Sequence, residues 1–503
     1  MKRIALGTVL LAIALGVLSA CEDKNGQART SPPADPTKPD VVVVGSEIEG
    51  MYLARAAKDE GLSVVVIDPR EQPGGQLIQG EMQYLDEPSA DGGKSLLQGR
   101  VKQLFDAYKK GAIRKSGEFR DYFDKLVEGI PIESGIAITD VALEKRSGSD
   151  KQAVRSITYR TKDGSTKTVT ARYYVDNTDF AALTSRLGLK RIPGIETVFG
   201  GTKPKDYMAA SIMMKFKGVD WNKFQSEIGK LSKKEREEKF GSETTVTDTF
   251  TWGLGNVGAR YKPSSPDVFL RGLNTINQRD GDVLINALLL YDVDPSDPES
   301  VRKAIENGKR ETDRILPHLR QELPGWERAE PNGYPNYLYI RDFDRYETEY
   351  VLQASDLMSG AMYWDNVSIA GYPIDLQGTK EHTWGERKGV PDKYGMPLRS
   401  FIPKGYANVF VAGKNVGASA VAYGSARIQP NTSLAGEVIG IMMARTGPER
   451  LLTEVTEKEM KELQQYVQKK YDIRVSGVKA KNKIANLSDE QVRQFNAGKL
   501  VLP

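Results

Sequence analysis

"DVVVVGSEIEGMYLARAAKDEGLSVVVIDP" (Asp40 to Pro69) decides the fold of this 503-residue chain. Val41 to Val44 is an unbroken β-branched run, the pattern of a strand covered on both faces. Gly45 and Gly50 follow at the spacing of the first and third glycines of G-x-G-x-x-G, the turn that brings backbone close to a pyrophosphate. Beyond Gly50, residues Met51, Leu53, Ala54 and Ala57 recur at helical spacing, and Gly61 stops the run. "LSVVVIDP" reads as a second buried strand. It ends at Asp68, 18 residues past Gly50, where such units place the acid that accepts from a ribose 2′-hydroxyl. Strand, turn, helix, strand and acid in this order predict a dinucleotide-binding parallel sheet. One letter departs: after Ser46, the place of the middle glycine is taken by Glu47. A helix start offers free N–H donors and a positive dipole end, so this carboxylate can turn aside and cap those amides. It can equally stand as a solvent-facing turn residue.

The segment before the motif reads as targeting sequence rather than fold. Lys2 and Arg3 precede the apolar run "IALGTVLLAIALGVLSA", which ends in "LSAC" (Leu18 to Cys21). Residues 1–20 therefore resemble a bacterial lipoprotein signal peptide with Cys21 as the lipidated residue, which predicts a protein outside the cytoplasm on a membrane lipid anchor. The alternative is an uncleaved N-terminal membrane helix, for which the run is short. Residues 21–38, polar and proline-rich, predict a flexible tether. Cys21 is the sole cysteine, which excludes dithiol redox chemistry and thiolate metal sites in the fold; no metal site is expected. With 71 basic against 67 acidic residues, the balance is even, and no basic stripe points to nucleic acid.

Two further stretches carry turn glycines. "REQPGGQLIQG" (Arg70 to Gly80) follows the second strand directly. "NVFVAGKNVGASAVAYGSARIQPNTSLAGEVIGIMMA" (Asn408 to Ala444) reads as a strand ending at Ala412-Gly413, a loop of small residues, and a helix opening near Asn431 or Thr432. Glycine-marked turns at opposite ends of the chain suggest that both close one site.

With these stretches the chain resembles the FAD-dependent oxidoreductases of the glutathione-reductase-like fold, as a lipid-anchored member of a bacterial branch. "YYVDNTD" (Tyr173 to Asp179), "YIRDFDRYETEYVL" (Tyr339 to Leu352) and "GYPIDLQG" (Gly371 to Gly378) extend the likeness from about residue 40 to 445. The resemblance implies FAD as cofactor. Gly45, Ser46, Glu47 and Gly50 would hold the pyrophosphate and Asp68 the ribose, with Pro69 and Arg70 also among the cofactor-binding residues. Gly75, Gln76 and Leu77 would run along the ribityl chain and ring, and Asn177 and Thr178 would match an Ala-Thr-Gly turn whose glycine is here Asp179. Gly413, Lys414 and Asn415 would approach phosphate and ribityl; Ser425, Arg427 and Asn431 would lie around the ring. Ala420 stands where related sequences often carry histidine, and the chain has just two, His318 and His382, each read as a satisfied structural residue.

The expected architecture is α/β, a Rossmann-like FAD-binding domain split by a mixed β/α substrate domain. Its first part, residues 39–190, contains a β-meander (Ile136 to Val175); the substrate domain spans 191–400, and 401–445 complete the FAD domain. Residues 446–503 form a charged, partly helical tail expected outside the core. "GLGNVGA" (Gly253 to Ala259) is a literal glycine motif, but Pro263 and Pro266 forbid a long helix after it. Tyrosines and tryptophans of the substrate domain (Tyr334 to Trp384) are read as mostly core. Arg341 is the candidate for a small-molecule substrate, against a structural pairing with Asp342 or Asp344. The expected function is hydride transfer to or from a small organic molecule, with substrate and electron acceptor left open; the alternative is a non-catalytic surface scaffold that keeps the fold.

Overall fold

The computed structural model describes residues 37–502; the signal segment, Cys21 and the tether as far as residue 36 lie outside the described residues. In chain order, the first layer is built from β1 (Val41–Val44), α1 (Ile48–Asp59), β2 (Val64–Asp68), a one-turn helix α2 (Gly75–Ile78) and β3 (Ile132–Ser134). The meander β4 (Ala137–Lys145), β5 (Gln152–Arg160) and β6 (Thr166–Val169) follows, then β7 (Tyr173–Asp176). Further on come β8 (Ala210–Lys217), β9 (Val268–Asn277), β10 (Val283–Leu290) and α3 (Pro298–Glu322). The chain returns with β11 (Val409–Val411), α4 (Ala420–Ala426), α5 (Gln429–Arg445) and α6 (Glu457–Tyr471).

The first sheet has the order β11-β7-β1-β2-β3, and every pairing in it is parallel. Strand β1 is central: Val41 lies between Val64 and Tyr173, and Val44 between Ile67 and Asp176. This is why it needs four β-branched residues in a row. Val41 and Val43 pack with α1 and α5, while Val42 and Val44 pack with Ile138, Val154 and Ile157 of the meander. Strands β7 and β11 lay residues from far along the chain beside the glycine turn after β1.

Helix α1 lies directly on α5. A Cβ on Gly436 would stand 2.4 Å from the Glu49 carbonyl oxygen, and one on Gly440 2.3 Å from that of Leu53. No side chain fits between the two backbones, so the small residues of α5 set how close the helices come. Helix α5 starts at Gln429, earlier than the expected Asn431 or Thr432, because Pro430 is well suited to a first turn that needs no N–H.

A second sheet of six strands is antiparallel, with β9, β10 and β8 at its centre, and α3 covers its apolar face. "GLGNVGA" gives only the six-residue helix Gly255–Arg260, packed on β9. The C-terminal tail corrects the expectation of an outer appendage. Met460, Val467, Ile473 and Phe495 are fully buried in the same core as α1 and α5, so the tail's apolar residues complete that layer. Among the described residues no helix is long and apolar enough to cross a membrane.

Candidate cofactor site

The turn after β1 opens into a buried cluster of charges. Glu47, 1 % exposed, makes no capping bond to α1, and it does not face solvent. Both expectations for it are corrected. Its carboxylate accepts from the Gln76 amide at 2.9 Å and from Arg70 Nη1 at 2.7 Å, so the amide it caps belongs to α2. Gly75 makes this possible, since a Cβ there would sit 2.3 Å from Glu47 Oε2. Arg70 also pairs with Asp179 and lies 4.1 Å above the Tyr337 ring. Lys414 Nζ donates to Gln76 Oε1 at 2.8 Å and to the Ile340 carbonyl at 2.9 Å, and stands 3.8 Å from Glu47 and 4.0 Å from Asp179. Glu47, Asp179, Arg70 and Lys414 thus form one buried quartet, drawn from both ends of the chain.

Burial opposes ionisation of Glu47, but Lys414 and Arg70 outweigh it and hold this carboxyl below its ordinary range. For Asp179 burial wins and pushes it up, against the pull of Arg70 and Lys414. Glu49, in the first turn of α1, is different: both carboxylate oxygens are buried without a hydrogen-bond partner. Burial, with the neighbouring Glu47 charge, pushes it up to about 7.

Asp68 closes the turn from inside. It accepts from the Ser46 hydroxyl and, at 2.9 Å, from the Arg70 amide, while Ser46 Oγ accepts from the Gly74 amide at 2.8 Å. Pro69 and Arg70, rather than Asp68, line the adjoining cleft of about 820 Å³, which runs past Ile136 and Phe180 to α3. Asn177 Nδ2 donates to the Glu47 carbonyl at 2.6 Å, and a Cβ on Gly50 would collide with that side chain at 2.1 Å. Asn415 Nδ2 donates to the Thr178 carbonyl at 2.7 Å, and Gly413 lies against the Glu49 carboxyl. The turns after β1, β7 and β11 therefore interlock.

At the far end, Gln76, Leu77, Lys414 and Arg427 line a cavity of about 30 Å³ with Tyr84, Asp86 and Tyr339. Ser425 and Asn431 are turned away from it. Ser425 Oγ donates to the Tyr372 carbonyl at 2.7 Å, and Asn431 Nδ2 to the Ser425 carbonyl at 3.0 Å, which fixes the backbone around α4.

Arg341 does not form the expected structural pair. Asp342 is taken by Arg345, and Asp344 by Arg191 and Lys205. His318 Nε2 lies 2.8 Å from the Val257 carbonyl, and His382 stacks on Phe199 at 4.2 Å, both outside the site. Sequence reasoning passed over Glu49 and Asp86, and read Tyr337 among the mostly core aromatics. Asp179 carried a signal, as an acid in place of a glycine; Glu49 and Asp86 carried none, because only the fold turns them inward.

The site fits the FAD that the resemblance implies. The cleft beside Pro69 and Arg70 lies outside the carboxyl ends of β2 and β3, where α/β sheets bind nucleotides, and its volume is in the range of small-molecule sites. Arg70 and Lys414 bring positive charge to the start of α1. Arg70 Nε and Arg427 Nε, both buried, have no acceptor. At the ring end the present side chains leave little room, so a ring seated there displaces some of them.

The Glu49 carboxyl makes stability depend on pH. Unfolded, it titrates near 4.5; folded, at about 7. Between these values the folded state binds more protons, so stability falls as pH rises through that window, by on the order of 3 kcal/mol for a shift of this size. Glu49→Gln removes the ionisation. The variant is expected to melt a few degrees above wild type at pH 8 and close to it at pH 5, and an equal difference at both would refute the assignment.

A family model described as FAD dependent oxidoreductase matches residues 40–467. No curated protein matches the chain in sequence. Among solved structures, a geranylgeranyl bacteriochlorophyll reductase-like protein of Thermoplasma acidophilum is 13% identical over 92% of each chain, with a TM-score of 0.37. The p-nitrophenol 4-monooxygenase of Pseudomonas putida DLL-E4 is 11% identical over 92% of each chain, with a TM-score of 0.34. Likenesses at this level say nothing about activity. The family match spans the glycine turn, the interlocked strands and the returning helix, and the chain belongs to the FAD dependent oxidoreductase family, with FAD as its cofactor.

Proposed function

We propose that this flavoenzyme oxidises or reduces a small organic molecule by hydride transfer at the cell envelope. One observation carries the reading: a continuous line of side chains, from the cleft at Pro69 through the buried quartet to Arg427, is assembled from both ends of the chain. When bound, FAD supplies the group that accepts or donates the hydride. The protein's part is to hold, orient and exclude water. Arg70 and Lys414 carry the charge that meets an anionic cofactor, while Glu47 and Asp179 keep both cations in place. No histidine reaches the site, so proton handling falls to another group. Asp86 lines the ring-end cavity and accepts from the Tyr372 hydroxyl at 2.8 Å. Burial pushes it up to about 6, against the Tyr372 bond, so its carboxyl can hold or release a proton near neutral pH.

The envelope location rests on the N-terminal stretch, with Lys2 and Arg3, the apolar run and "LSAC" ending at Cys21. Labelling of expressing bacteria with a palmitate analogue is expected to mark the full-length chain and not Cys21→Ser. An unlabelled wild type would remove the anchor from the account.

For the chemistry, the purified protein titrated with FAD is expected to retain one flavin per chain. After anaerobic photoreduction that flavin should re-oxidise with oxygen or a quinone. Absence of saturable binding defeats the reading, and a bound flavin that never cycles favours the scaffold alternative.

A further inference from the structure

Three arginines converge on the ring end of the site without a carboxylate in direct ion-pair contact, although Asp86 and Asp375 lie near them. Arg341 reaches it from the loop after Ile340, 3 % exposed; Arg427 follows α4, and Arg271 projects from β9. Among the described residues none of the three has a carboxylate oxygen within 4.0 Å, whereas Arg70, Arg191 and Arg345 nearby are all ion-paired. Arg341 Nη1 donates to the Ala209 carbonyl and to Ser211 Oγ, each at 2.8 Å, and Nη2 to Asn286 Oδ1 at 3.3 Å. These are neutral acceptors from β8, β10 and the residue before β8. They orient the guanidinium without pairing its charge directly.

One ring and one short chain of bonds tie the three together. The Arg341 guanidinium lies 4.3 Å over the Tyr339 ring, whose hydroxyl accepts from Arg427 Nη1 at 3.1 Å. Arg271 donates to Gln377 Oε1, and the Gln377 amide donates to Asp375 Oδ2 at 2.5 Å. The Asp375 carbonyl in turn accepts from Arg427 Nη2 at 3.4 Å. Arg427 Nε, buried, has no acceptor at all. Burial of Arg341, with Arg271 and Arg427 beside it and Tyr339 and Asp375 opposing, lowers its pKa to about 10, so it stays cationic at neutral pH while its charge is costly. Buried cations left in this state are uncommon, because an unpaired charge away from water is expensive. A ligand carboxylate would supply the direct partner that Asp86 and Asp375, bonded to Tyr372 and Gln377, do not.

We propose that Arg271, Arg341 and Arg427 form the substrate-binding site, and that the substrate is a small organic carboxylate. The inference rests on the flavoenzyme reading above and names the substrate class for that site. A carboxylate suits the set because guanidinium forks meet its two oxygens in a plane. Tyr84 and Tyr339 add apolar ring surface for an organic body. Arg341 and Arg271 are assigned to the substrate. Arg427, which lines the ring-end cavity, stands between substrate and cofactor.

The test uses the FAD-loaded protein, with binding read from perturbation of the flavin absorbance. Oxalate, succinate and benzoate are titrated, beside inorganic phosphate and the uncharged benzamide. At least one carboxylate is expected to bind saturably, and benzamide not to bind. Arg341→Met should weaken that binding roughly ten- to hundred-fold, the loss expected for hydrogen bonds to a charged group, and leave FAD affinity within about threefold by the same measure. Should Arg341→Met not fold, Arg271→Gln, at a partly exposed position, is expected to weaken carboxylate binding in the same direction. The proposal is overturned if no carboxylate perturbs a bound flavin, if phosphate alone binds, or if both variants bind carboxylate as wild type does. A wild type that binds no FAD overturns the flavoenzyme reading itself, and this proposal with it.

Discussion

Arg70 is the residue on which the site depends. It emerges from the end of β2, is held at 2.7 Å by Glu47, pairs with Asp179 and lies over the Tyr337 ring. Breaking a buried pair by removing one partner typically costs about 3–5 kcal/mol, because the other charge is left stranded. Arg70 has two anionic partners and Glu47 has two cationic neighbours, so the quartet is locked from several sides. The four residues come from the turn after β1, the end of β2, the turn after β7 and the turn after β11. Holding the charges together therefore holds together the strands that deliver them.

This constraint explains the odd letter in the glycine motif. At the position of Glu47 a glycine leaves space for a phosphate at the helix start. Here the side chain swings toward Gly75 and spends its charge on Arg70 and the Gln76 amide. The two unusual acids, Glu47 and Asp179, act as a matched pair around one cation. Neither makes sense without the other, and reading either alone as damage to the motif misses the arginine between them.

Much of the fold was legible because local pattern and burial agree. The valine run demands a central strand, and the small residues after Pro430 demand a close helix contact; both are present. The meander was visible from its turns. What could not be read was direction. Nothing near Glu49 in the sequence shows that its carboxylate is shut inside a helix start, and nothing near Asp86 shows that it faces Arg427 across the chain. Asp68 is instructive in another way: its place at the strand end was predicted, yet its oxygens are used by Ser46 and the Arg70 amide. The tail was misjudged because its charged face dominates the sequence, while Met460 and Val467, one apolar stripe, decide the packing.

The central claim is that Glu47 is a counter-ion of Arg70 and Lys414, and no obstacle to the cofactor. Titration of FAD into the wild type and Glu47→Gly, followed by flavin fluorescence, measures this directly. The account predicts saturable wild-type binding at one FAD per chain and binding retained in the variant, with the loss of the buried counter-ion showing as a lower melting temperature. Binding that appears only when Glu47 is replaced by glycine would contradict it.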